Sequence, residues 1–186
     1  MVGGRGAMPI NYIMHIVINC VWQSLPVIGA WSIIRLIAWH KYPAWERAKQ
    51  RKREMRLWML GVYLICLVQI TVFRFGIHWV TFDVARQTNW QPLMTLALLA
   101  PWAKFYNIVG NIVWFVPLGL LWPQVWPKWR FWPVALLGCG LSIMIEGLQY
   151  LFYTGITDVD DVIFNTLGAA MGYLIQSAWR RIMKKC

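Results

Sequence analysis

The chain has 186 residues, 59% of them hydrophobic and 14 of them Trp, with a net charge of +11. That apolar share exceeds the norm for soluble domains, and several windows of about 20 residues hold few charges. A soluble nucleic-acid binder is therefore set aside despite the 18 basic residues, and an integral membrane protein is the economical reading. Alternating strand patterns are absent, so the spans are read as helices.

Segment one runs from about Met8 to Ala38, and Asn11, His15, Asn19 and Gln23 recur four apart along one face. That stripe fits interhelical hydrogen bonds or the lining of a hydrated cavity. Pro26 is expected to kink or interrupt the helix. The run is also too long for a cleaved signal peptide. A basic stretch follows, KYPAWERAKQRKREMR, read with its flank as a cytoplasmic loop over 39–56. Segment two spans about Leu57 to Phe75 and carries Gln69, Thr71 and Arg74. The next connection, Gly76 to Lys104, contains His78, Asp83, Arg86 and Asn89-Trp90-Gln91-Pro92 and suits an interfacial or re-entrant piece.

Segment three, about Phe105 to Trp122, places Asn107 and Asn111 one turn apart. A Trp- and Pro-rich linker leads to segment four, about Trp132 to Tyr153, with Gly138, Ser142 and Glu146 at every fourth position. Segment five, about Asp161 to Trp179, carries Gly168 and Gly172 at a spacing that permits close helix approach. Cys20, Cys66, Cys139 and Cys186 lack metal-ligand spacing, and free thiols are expected.

The expected fold is an all-α integral membrane bundle of five transmembrane helices forming one domain over 1–186, with an N-terminal helix pair over 8–75. The charges orient it. With the N-terminus outside and the C-terminus cytoplasmic, the inner side holds Arg35, the 41–56 block, Lys128, Arg130 and the basic C-terminal run. The outer side keeps Arg5, Arg74, Arg86 and Lys104.

Glu146 to Gly172 carries the chemistry. An ionised carboxylate inside such an apolar segment costs roughly 2.5–3.5 kcal/mol, so Glu146 requires a partner, a wet cavity or a proton. At 1.5 Å per helical residue, Glu146, Asn111 and Asn165 all fall about 8–10 Å below the outer surface. His15 and Gln69 come out at a similar depth. This predicts a polar cavity open to the outside, built mainly by segments three, four and five, with Gln149 one turn from Glu146 and Asp161 one turn from Asn165. Thr157 and Asp160 have capping-box spacing at the start of segment five. DVDD lacks the ligand spacing of a cation loop, so no metal is assigned.

Three ordered motifs in the second half carry a resemblance. Asn107 to Gly119 reads N-x-x-x-N-x-x-x-F-V-P-L-G, Glu146 and Gln149 read E-x-x-Q, and Asp158 to Ala169 reads D-V-D-D-V-I-x-N-T-L-G-A. Together they resemble the VanZ-like family of bacterial membrane proteins, over about Asn89 to Tyr173. Asn89-Trp90-Gln91-Pro92 is similar to that family's N-x-x-P-F element, with Leu93 in place of Phe. Many members carry an Arg in the loop before the acidic motif, where this chain reads TGIT. The resemblance implies the plasma membrane of a bacterium, a Gram-positive one, and a role in low-level resistance to teicoplanin-type lipoglycopeptide antibiotics.

Two classes of function follow. In the first, the chain is not an enzyme. Its cavity engages a lipid-linked cell-wall precursor or a lipidated drug through Gln91, Asn107, Asn111, Glu146, Gln149, Asp158, Asp161 and Asn165, with no cofactor. In the second it is an intramembrane enzyme with Glu146 as general acid or base. A small transporter or proton relay would use the same buried groups. A purely structural role for Glu146, bonded to Asn111 or Asn165, is the plainer alternative.

Overall fold

A computed structural model describes residues 10–73, 88–93, 99, 101–152, 154, 155 and 157–184, leaving aside the side chains of 10–13, 16, 17, 102 and 103. Among these residues five long helices carry the architecture: α1 (Ile10–His40), α2 (Ala44–Thr71), α3 (Pro101–Val125), α4 (Phe131–Phe152) and α5 (Val159–Met183). Two short strands, β1 (Thr88–Asn89) and β2 (Thr157–Asp158), pair in parallel with Thr88 opposite Thr157.

Among the described residues, four helices are long and apolar enough to cross a membrane, over Ile18–His40, Ala44–Thr71, Lys104–Val125 and Phe131–Phe152. The fifth, α5, has 25 residues, and its polar content (Asp160, Asp161, Asn165, Gln176) keeps it outside that set. Large apolar side chains stand exposed along every helix, among them Trp22, Ile33, Leu136, Leu151 and Leu174. On chains of this composition such faces meet lipid rather than water.

Two expectations are revised here. The basic stretch read as a loop over 39–56 is helical from Ala44 onward, and the turn is confined to residues 41–43. Ala, Glu, Lys, Arg and Gln are strong helix formers, and Glu46 in the first turn suits the helix dipole. Charge alone does not distinguish a loop from a solvated helical end. Of the kink or interruption expected at Pro26, the interruption does not occur: α1 runs unbroken through it, because one lost backbone bond does not terminate a long span. Most of the interfacial piece expected between 76 and 104 lies outside the described residues.

The tightest packing is between α3 and α5, and small residues create it. A Cβ on Gly168 would strike the Ile112 carbonyl, and one on Gly172 would strike that of Val116. Gly119 on α3 sits in the same way against the Ala169 carbonyl and the Tyr173 amide. The spacing of Gly168 and Gly172 thus does what the sequence suggested, and α3 and α5 meet backbone to backbone. Gly138 of α4 rests on the Ala169 methyl. Leu67, Val72, Phe115, Leu118, Ile145 and Ala169 form the buried core between α2 and these three helices.

The α1–α2 pair is held by larger groups. The Trp31 indole lies over Gly61 and donates to the Trp58 carbonyl at 3.2 Å, while Trp58 Nε1 donates to Ser32 Oγ at 2.9 Å. Arg35 pairs with the buried carboxylate of Glu54, which also accepts from the Tyr42 hydroxyl at 3.1 Å.

Candidate functional site

Where α2 ends and α5 begins, α3 and α4 flank a chamber of about 190 Å³. Asn107, Asn111, Glu146, Gln149, Asp161 and Asn165 line it with Thr71, Tyr106 and Trp114. Six of the eight residues expected to bind a ligand therefore meet around one space. Helical period explains the meeting. Asn107 and Asn111 lie one turn apart on α3, Asp161 and Asn165 one turn apart on α5, and Glu146 and Gln149 are neighbours on α4.

The bonds within the chamber are unevenly completed. Asn111 Nδ2 donates to Asp161 Oδ1 at 2.5 Å. Asn165 Nδ2 donates to Ser142 Oγ at 2.8 Å, and Gln149 Nε2 to the Thr71 carbonyl at 2.9 Å. The amide oxygens Asn165 Oδ1 and Gln149 Oε1 are buried acceptors with no partner among the described residues. Buried polar atoms are nearly always bonded, so these two acceptors, on residues that line the chamber, are ones a water or another donor would satisfy. Among the described residues lining the chamber none is Lys, Arg or His.

Glu146 is 5% exposed. One carboxylate oxygen, Oε2, accepts from the Asp158 amide at 2.9 Å, and its own carbonyl accepts from Thr157 Oγ1 at 3.3 Å. It therefore has both a partner and a cavity, two of the three conditions an acid in such a helix demands. Its second surface opens on a mostly apolar groove of about 660 Å³, walled by Trp90, Ile143, Tyr150, Val159 and Val162. Glu146 is the residue that lines both spaces.

Asp158 and Gln91 stand elsewhere than expected. Asp158 lines the groove rather than the chamber, and its Oδ1 accepts from Asn89 Nδ2 and from the Asp160 amide, both at 3.0 Å. It is thus the N-cap of α5, one residue after the Thr157 cap that the spacing suggested. Gln91 is exposed and lines neither space, and its backbone N–H closes a turn onto Asn89 Oδ1 at 3.1 Å.

Asp160, read from its spacing only as a capping partner of Thr157, has a larger structural part. It is 1% exposed, and both its oxygens accept from the Leu93 amide, at 2.8 and 3.0 Å. Leu93 has φ 64°, a conformation uncommon for a bulky residue, so the charged acceptor holds it in place. With the β1–β2 pair, this contact ties residues 88–93 to the start of α5 and brings Trp90 to the groove. His15 is exposed on α1, and Gln69 Nε2 donates to Gln23 Oε1 at 2.5 Å, so neither joins the chamber. Cys66 and Cys139 carry free thiols, and Cys186 lies outside the described residues.

Residues 60–180 match the VanZ/LLP1 family, a span that includes both cavities' helical walls. Protein VanZ of Enterococcus faecium is similar at 28% identity over 115 residues, 61% of this chain and 68% of that relative. No solved structure matches. The match takes in the Asn107–Gly119, Glu146–Gln149 and Asp158–Ala169 motifs that build the chamber, and the chain belongs to the VanZ/LLP1 family.

Proposed function

We propose that this chain is a non-catalytic protein of a bacterial plasma membrane that binds a lipid-linked or lipidated ligand from the outer leaflet. In this reading all five helices span, the N-terminus is outside and the C-terminus cytoplasmic, so that the chamber lies near the exterior face and the basic end inside; the charge bias supports it. The observation that carries the reading is the position of Glu146 between an apolar groove and an acceptor-rich chamber. An acyl or isoprenoid chain suits the groove, and a head bearing hydroxyl, amine or amide donors suits Asn165 Oδ1, Gln149 Oε1 and Glu146. A bare phosphate suits the chamber poorly, since its described lining supplies carboxylates and no cation.

A teicoplanin-type lipoglycopeptide has both parts, a chain and a sugar- and amide-rich head. Resistance would follow from sequestering the drug or masking its lipid-anchored target. The test is susceptibility to teicoplanin in cells expressing wild type or Glu146→Gln at equal levels. Protection should fall about tenfold in the variant, with little change toward a glycopeptide lacking the acyl chain. Unchanged protection would reduce Glu146 to helix glue. Mass spectrometry of envelope lipids, with and without the protein, should show no new or missing species. A modified lipid would favour the enzyme reading instead.

A further inference from the structure

The opposite end of the bundle holds a second built space, and its charge is reversed. A cavity of about 460 Å³ lies between the last turn of α3, the end of α5 and the N-terminal half of α2. Arg56, Arg180 and Lys184 line it with Gln124, Gln176 and Trp179. Arg56 Nη1 donates to the Gln124 carbonyl at 3.1 Å, and Arg180 Nη2 donates to the Pro123 carbonyl. These carbonyls belong to the unpaired last turn of α3. Each contact fixes a guanidinium that still carries further donors.

No carboxylate lines this cavity among the described residues. Glu54 is engaged by Arg35 and Tyr42, and Glu46 stands about 15 Å earlier along α2 than Arg56. The carboxylates of Glu146, Asp158, Asp160 and Asp161 belong to the far end. Three cations, two of them half-buried and clamped, therefore face one space with no counter-charge among the described residues. Trp179, 61% exposed beside it, is the residue type that sits at a membrane interface.

We propose that this cavity binds the phosphate group of an anionic ligand. A phospholipid head and a free phosphate share that chemistry. Exposed Ile175, one turn before Trp179 on α5 and farther from the charged end, suits an acyl chain, which favours the lipid source. The proposal is independent of the ligand assigned to the chamber.

The test uses the full chain in two arms. In the first, protein from nanodiscs of mixed phosphatidylglycerol and phosphatidylcholine is read by native mass spectrometry for retained lipid. In the second, inorganic phosphate is titrated into detergent-solubilised protein at low salt and thermal unfolding is followed. Wild type should retain phosphatidylglycerol preferentially, with about a fivefold loss for each cation removed. Arg56→Gln and Arg180→Gln also remove contacts to α3, so Lys184→Gln, just past the last turn of α5, is the decisive variant. Lys49→Gln/Arg51→Gln, at exposed positions outside the cavity, is the control for bulk charge. Lipid retention lost in Lys184→Gln and kept in the control supports the lipid source. Stabilisation by phosphate alone, lost in the same variant, supports the free-ion source. Indifference of Lys184→Gln in both arms, or equal loss in the control, overturns the proposal.

Discussion

The helix pair α1–α2 and the unit α3–α5 treat polar groups in opposite ways. In the pair, polar side chains close on one another: Gln69 on Gln23, Trp58 on Ser32, and Arg35 with Tyr42 on Glu54. In the unit, small residues bring backbones together, and the amides and acids left over surround a chamber with two unengaged acceptors. Polar residues in membrane helices are costly in both places. In the first they repay that cost as connectors, and in the second they leave bonding capacity for something else.

The largest expected effect comes from the backbone seam that shapes the unit. Gly168→Leu or Gly172→Leu drives a side chain into the α3 carbonyls and should cost about 3 kcal/mol or more. Thermal unfolding in detergent would show it as a collapse of folded yield. A silent substitution at either site would mean that α3 and α5 are not seamed as described. In the pair, Glu54→Gln leaves Arg35 without its counter-charge and should cost about 3 kcal/mol. Adding Arg35→Met should recover most of that loss, as expected for a connector.

Removing the tether at the mouth of the groove is a smaller perturbation. Asp160→Ala should cost about 2 kcal/mol and speed amide exchange at Leu93, leaving exchange within α4 unchanged. Equal protection of Leu93 in wild type and variant would dissociate Asp160 from that turn. The smallest effect belongs to Gln23→Leu, about 0.6 kcal/mol, because a single interhelical amide bond is weak when lipid-facing alternatives exist. Chemical unfolding of the two proteins side by side would resolve it.

Much of the chamber was legible because helical period and the cost of burying polar groups act locally. Asn107 with Asn111, Glu146 with Gln149 and Asp161 with Asn165 could be placed on faces from spacing alone. Depth arithmetic reached less far: it grouped His15 and Gln69 with the chamber residues by height, but height carries no information about which way a residue faces round the bundle, and neither lines the chamber. The spacing made Thr157 the cap with Asp160 as its partner, whereas Asp158 caps α5 and Asp160 holds Leu93, an assignment that depends on the parallel pairing of β1 with β2. That pairing joins segments 69 residues apart over two residues, too short for any periodic signal. The basic helix start was misread because a run of Lys and Arg reports where charge lies rather than which backbone carries it.

Unengaged acceptors in the unit and engaged ones in the pair set the two regions apart. The direct measurement is the affinity of the purified chain for teicoplanin, compared between Asn165→Leu and Gln69→Leu. About a tenfold weakening in the first, with wild-type affinity in the second, is the predicted result. Equal affinity in both variants, or an equal loss, would contradict it.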